Sequence, residues 1–248
     1  MSPPLIAGNW KMNGLSADLA EARALAEALK AQPAKARVAL CAPATLVAKM
    51  ADALAGSAVE VGAQDTHAAV AGAFTGDISA EMLADAGARL VIVGHSERRA
   101  AYREDDAVVA AKAQAAIRAG LEPIICVGET LEERQAGRAI EIVSAQIAGS
   151  VEVSLSEAAF AVAYEPVWAI GTGLTPTLAQ IEEVHGAVRA ALRGKLGAAG
   201  DRPPILYGGS VKPGNAAEIL AVKDVGGALV GGASLKAADF LQIVRAAG

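Results

Sequence analysis

The sequence predicts an α/β fold, a single-domain (β/α)8 barrel spanning residues 1–248, on three observations. Short apolar, β-branched runs recur eight times along the chain. They are continuous rather than alternating, the pattern of parallel strands covered on both faces. Segments of helical period separate them, and eight strand-then-helix units in 248 residues match the size of a closed barrel. An open doubly wound sheet is the rival architecture. Against it, no G-x-G-x-x-G follows the first run, and no Gly/Ser/Pro linker or shift of composition divides the chain.

The elements follow in order. LIAGNWK (5–11) is the first run, and its end carries Asn9 and Lys11, which share one face if the strand continues, with Trp10 opposite. Ser16 precedes the helical pattern SADLAEARALAEALK (16–30) and is expected to cap it. RVALCAP (37–43) and VEVGAQD (59–65) are the next two runs. After them DTHAAVAGAFTGD (65–77) is long and apolar for a connection; it belongs against a partner surface or lies as a flap on its own barrel.

RLVIVGH (89–95) ends in His95 and opens the polar stretch SERRAAYRE, with Glu97 just beyond. The helical pattern 104–119 leads to EPIICVG (122–128), after which Glu129 stands, and AFAVAYE (159–165) ends in Glu165. Thr177 is placed to cap the helix of 177–193. The last two runs, PILYGGS (204–210) and GALVGGA (227–233), close on paired glycines.

Composition removes several function classes. The chain is 53% hydrophobic and 20% charged, enough apolar material for one large core, and 22 basic against 27 acidic residues give a net charge of −5. That balance carries no footprint for nucleic acid or an anionic membrane, so an anionic ligand must be held locally. Cys41 and Cys126 each sit in an apolar run and are expected to be buried, reduced thiols, as in a cytosol. The start, MSPPLIAGNWK, lacks the basic residues and the apolar length of a secretory signal, and no stretch has the length of a membrane span. A soluble, cytoplasmic protein is expected.

In a barrel the polar residues at the carboxyl ends of strands converge on one mouth: Asn9, Lys11, His95, Glu97, Glu129, Glu165, Ser210, Gly231 and Gly232. The glycines of YGGSV (207–211) and GGAS (231–234) offer bare backbone N–H groups as an anion cradle, or simply turn tight corners. Pro166 restricts Glu165 to extended backbone, and its neighbours Tyr164, Val167 and Trp168 are apolar. Desolvation there raises a carboxyl pKa and suits a general base; an acid paired with a nearby cation is the plainer alternative. An imidazole at the start of a helical turn, as His95 would be, is held neutral and can donate to an oxyanion. The three histidines show no metal-ligand spacing, and no metal site is expected.

GNWKMNG (8–14), GAFTGDIS (72–79), VIVGHSERR (91–99), ICVGET (125–130), AYEPVWAIGTG (163–173), YGGSVK (207–212) and LVGGASLK (229–236) together resemble the triosephosphate isomerase family over essentially the whole chain. The resemblance implies interconversion of dihydroxyacetone phosphate and D-glyceraldehyde 3-phosphate without metal or organic cofactor. It makes Glu165 the base, His95 the neutral electrophile, and Lys11, with Asn9, the group that stabilises enediolate charge and helps to seat phosphate. It places the phosphate on the backbone of Gly171, Ser210, Gly231 and Gly232, gives Glu97 and Cys126 supporting places, and implies a homodimer through the loop around Thr75. Residues 166–176 resemble a lid over the ligand. One departure stands out: the position of Pro176 often carries an N–H that bonds the tyrosine corresponding to Tyr207, and proline has none. A Schiff-base aldolase acting through Lys11 and a barrel that only binds triose phosphates are the alternatives.

Overall fold

The computed structural model describes residues 3–170 and 174–248. Parallel strands form where the apolar runs lie: β1 Leu5–Asn9, β2 Arg37–Cys41, β3 Val59–Ala63, β4 Leu90–Val93, β5 Glu122–Val127, β6 Ala161–Tyr164, β7 Ile205–Tyr207 and β8 Gly227–Val230. Each pairs with the next, and β8 pairs back onto β1 from Leu5↔Gly227 to Gly8↔Val230, closing the expected (β/α)8 barrel.

The period of two explains why the runs are continuous. On β4, Leu90 and Ile92 fill the lumen while Val91 and Val93 face the helices, and all four are buried. Small and large residues share the lumen, among them Ala7, Ala39 and Ala163 with Leu5, Ile124 and Leu206. It is therefore a packed core, and truncating one of its large side chains is expected to cost roughly 2–5 kcal/mol. Cys41 and Cys126 belong to this lumen as free, buried thiols, and burial pushes the Cys41 thiol up to about 12.

The helices carry an apolar stripe onto the sheet. In the helix Leu178–Leu196 the buried Ile181, Val184, Val188 and Leu192 recur at helical spacing. Thr177 caps it as expected: its hydroxyl accepts from the Gln180 N–H, and the Gln180 side chain accepts from the Thr177 N–H in return. Ser16 does not act as expected. A 3-10 turn, Ser16–Asp18, precedes the helix Leu19–Ala31, and the Asp18 carboxylate takes the Leu15 N–H at 2.7 Å. Ser16 lies inside that turn and not one residue before the helix, so its hydroxyl is out of place for a cap and accepts instead from Lys49 Nζ.

The 65–77 connection contains no helix. Phe74 stacks on the His67 ring at 4.0 Å, and the His67 N–H donates to the Ile78 carbonyl at 2.8 Å, so the loop has its own internal order. Val70 and Phe74 nevertheless stay exposed, at 52% and 45%. Among the described residues no helix is long and apolar enough to cross a membrane.

Candidate active site

Three strand exits bring the charged residues together. β1 ends at Asn9, which is buried, and Lys11 lies two residues past it in the left-handed region, φ 51°. Lys11 thus reaches the mouth through a strained turn and not, as strand alternation predicts, by sharing a strand face with Asn9. The Asn9 side chain stabilises that turn by accepting the Lys11 N–H at 2.9 Å. Trp10 is buried on the other side, with Nε1 donating to the Ser234 carbonyl at 3.1 Å.

β4 leads to His95, which caps the short helix Ser96–Tyr102: its Nδ1 accepts the Glu97 N–H at 3.2 Å. A ring nitrogen that accepts a backbone N–H carries no proton, which leaves the proton of a neutral ring on Nε2. Nε2 faces Glu165 Oε1 at 2.8 Å. Glu97 leans over the cluster, bonded to Lys11 Nζ and with Oε2 at 3.6 Å from His95 Nδ1.

β6 delivers Glu165, whose N–H donates to the Val127 carbonyl at 2.8 Å and whose side chain is wholly buried. Its oxygens are fully engaged: the Ser96 N–H donates to Oε2 at 2.9 Å and the Ser96 hydroxyl to Oε1 at 3.3 Å. This corrects the expectation of a carboxyl raised by apolar neighbours. Burial does push the pKa up and is the largest single influence, but His95, the Ser96 N–H and Lys11 together outweigh it and hold the carboxyl below its ordinary value. The carboxylate is parked against donors that chain order did not show to be near. Cys126 lies beside it, and burial together with the Glu165 charge pushes that thiol well up.

The cleft over these groups has a volume of about 420 Å³, and its wall includes Asn9, Lys11, His95, Glu97, Glu165, Ser210, Gly231 and Gly232. Those expected residues do converge. Gly171 lies outside the described residues. The second glycine pair opens a 3-10 turn, Gly232–Leu235, before the helix Ala237–Ala246, so the cradle is turn backbone rather than the end of the long helix. Lys212 also lines the cleft and stands exposed at its rim.

Glu129 does not belong to the mouth. It is fully buried and accepts from Tyr164 Oη at 3.1 Å and Trp168 Nε1 at 2.9 Å, with its pKa raised mainly by burial. It braces the start of the 166–176 segment instead. Tyr207, whose family partner Pro176 has no N–H to offer, is buried, and among the described residues its hydroxyl has no hydrogen-bond partner.

Two residues escaped sequence reasoning. Ser96, the parking partner of Glu165, was hidden in a polar run. Gly128 permits the approach of β6 to β5: a Cβ there would sit 1.8 Å from the Glu165 carbonyl oxygen, so any side chain would displace Glu165. The only signal for it was a glycine directly after a strand.

The comparisons agree along the whole chain. The family model described as triosephosphate isomerase matches residues 4–247. A triosephosphate isomerase of Caulobacter vibrioides is 59% identical over 243 residues, covering 98% of this chain and 96% of the relative. One from Afipia carboxidovorans is also 59% identical, covering 98% and 97%. The crystal structure of triosephosphate isomerase from Bartonella henselae superposes with a TM-score of 0.89 at 46% identity, covering 98% of each chain. With the barrel, the cleft and these likenesses in agreement, the chain belongs to the triosephosphate isomerase family.

Proposed function

We propose that the chain interconverts dihydroxyacetone phosphate and D-glyceraldehyde 3-phosphate through an enediolate, without metal or organic cofactor. The observation that carries this reading is the meeting of His95 Nε2, Glu165 and Lys11 in one cleft walled by glycine backbone. Glu165 takes a proton from the carbon beside the substrate carbonyl and returns it to the neighbouring carbon. His95, with its proton on Nε2, donates to the oxygen on which charge develops. A neutral imidazole beside helix N–H groups is a device for which this enzyme family is the standard illustration. The Lys11 ammonium, drawn from its bond with Glu97, stabilises the same charge and the phosphate. Backbone at Gly171, Ser210, Gly231 and Gly232 receives the phosphate.

Glu165 must leave Ser96 before it can act. Binding of phosphate and closure of 166–176 supply the driving force, and removing water then makes the released carboxylate a stronger base. Lid closure is likewise a property by which this family is known. A lysine nitrogen held against a carboxylate suits electrostatic work better than the nucleophilic role of the aldolase alternative.

The same reading makes the chain a cytoplasmic homodimer. A second cleft of about 540 Å³ adjoins the first, shares Asn9, Lys11, His95 and Glu97 with it, and extends to Met12, Gln64 and Tyr102. The loop around Thr75 of a second copy fills it, covering Val70 and Phe74. A coupled isomerase assay on purified, metal-free protein tests the function, with gel filtration alongside. Turnover at twice the chain's mass is expected. Binding of triose phosphate without turnover would favour the binding-only barrel, and mass added at Lys11 on borohydride trapping would favour the aldolase.

A further inference from the structure

Arg99 lies one helical turn beyond His95 and does not touch the cleft. Its side chain turns back under the mouth. Nε donates to the Gly94 carbonyl at 3.0 Å, the peptide immediately before His95, and Nη2 donates to the Cys126 carbonyl at 3.3 Å. Nη1 donates to Asp106 Oδ1 at 2.6 Å and Nη2 to the Ser150 hydroxyl at 3.0 Å, while that hydroxyl donates to the same Asp106 oxygen at 3.0 Å. Through its own N–H, Arg99 also bonds the His95 carbonyl at 3.0 Å.

The position of these acceptors gives the contacts meaning. Pairing between β4 and β5 ends at Val93↔Ile125. Gly94 is the first residue past β4 and leads into His95, and Cys126, still within β5 one residue before its end, carries the thiol beside Glu165. Beyond the ladder the guanidinium joins the two strand exits, as one rigid fork with acceptors on both. Asp106 and Ser150, from the helices Asp106–Arg118 and Ala139–Ser150, fix the plane of that fork. Gly94 makes the turn into His95 at φ 67°, a conformation glycine adopts freely, and a Cβ there would run into Val109.

We propose that Arg99 is a positioning residue for the isomerisation, clamping the exits of β4 and β5 so that His95 Nε2 is aimed at the substrate carbonyl at a set distance from Glu165. A lysine keeps the charge opposite Asp106 but cannot reach acceptors on several elements at once from a single nitrogen. The inference rests on His95 being the electrophile, so the test must separate the two ideas.

The experiment compares full-length wild type, Arg99→Lys, Ser150→Ala and His95→Gln. It measures kcat and KM for dihydroxyacetone phosphate, and the infrared carbonyl stretch of the bound substrate, which reports polarisation by His95. For Arg99→Lys, kcat is expected to fall by about tenfold to a hundredfold, as sub-ångström to 1 Å misplacement implies. KM should stay within about twofold, and the carbonyl band should move toward that of free substrate. Ser150→Ala, which removes one aiming contact and folds readily, should show the same band shift in smaller degree. Unchanged kcat and band in Arg99→Lys, or an activity loss that tracks only the folded fraction with the band unmoved, overturns the proposal. If His95→Gln loses the band shift while both other variants keep it, the clamp fails and the site reading survives. If His95→Gln itself leaves the band unmoved, the site reading fails first.

Discussion

The two ends of the barrel use similar charged groups to opposite ends. At the amino-terminal ends of the strands, Arg37 donates to both oxygens of Glu60 and both oxygens of Glu122, at 2.8–3.2 Å, and burial of the group is offset by these bonds. Every member sits on a strand. At the carboxyl ends, Lys11, His95 and Glu97 stand just beyond the strands, with Lys11 in a left-handed turn and Glu165 held by bonds that the proposed reaction has to break. At one end a fully paired network braces β2, β3 and β5; at the other an interruptible one leaves groups free to act. The largest expected effect exploits that contrast. Glu165→Asp, which withdraws the carboxylate by one methylene, should lower kcat by at least about a hundredfold with little change in KM. Its urea midpoint should fall only modestly, because the shortened side chain loses reach to its Ser96 donors, and far less than kcat does. Equal turnover in the aspartate variant would remove the mouth's claim to be the reactive end.

The floor should answer in the opposite currency. Arg37→Met leaves two carboxylates facing each other across a partly buried space. The unfolding free energy is expected to fall by about 2 kcal/mol, less than for a fully buried pair because the arginine is partly exposed. Turnover should remain within about twofold, since no floor residue reaches the cleft. A variant with wild-type stability and reduced kcat would reverse the assignment of the two ends.

A smaller effect tests whether the parked base also serves stability. The folded pKa of Glu165 lies below its free value of 4.5, so the ionised carboxylate contributes stability above that pH. The contribution is lost as pH falls through the depressed folded value. Glu165→Gln, which cannot ionise, should therefore be modestly less stable than wild type at pH 7, and the two stability curves should converge below pH 4.5. Parallel curves across that range would mean that the donors around Glu165 do not favour the anion.

The strands were legible because parallel strands buried on both faces write continuous apolar runs, and the residues at their ends were legible because a barrel has one mouth. What escaped depends on distances between strands far apart in sequence. The bonds from Ser96 to Glu165 span 69 positions, so the lowered pKa of the base could not be read from its apolar neighbours. Glu129 showed the converse failure: it stands after a strand like the others, yet turns inward to Tyr164 and Trp168. Ser16 lost its capping place because a 3-10 turn precedes the helix and moves the helix start to Leu19, a shift that propensity does not rank. The strand-face argument for Lys11 failed because β1 ends at Asn9, and only a side chain bonding its own backbone holds the turn that follows.

The smallest effect concerns the lid. Pro176 is buried and has no N–H, and the hydroxyl of Tyr207 has no partner among the described residues, so the bond that often joins these positions in the family is missing from both sides. A backbone bond of this kind contributes about 0.5–1.5 kcal/mol, and a proline that fits its backbone recovers about 0.4–1 kcal/mol by restricting the open chain. The two nearly cancel. Pro176→Ala restores the donor and releases the restraint together, so the affinity for a phosphorylated enediolate mimic should change by less than about threefold. Tyr207→Phe in the wild-type background should be equally quiet, because it deletes a hydroxyl with no partner among the described residues. If Pro176→Ala instead tightened the mimic tenfold and Tyr207→Phe then cancelled the gain, the proline would have cost the lid its latch with no entropic return.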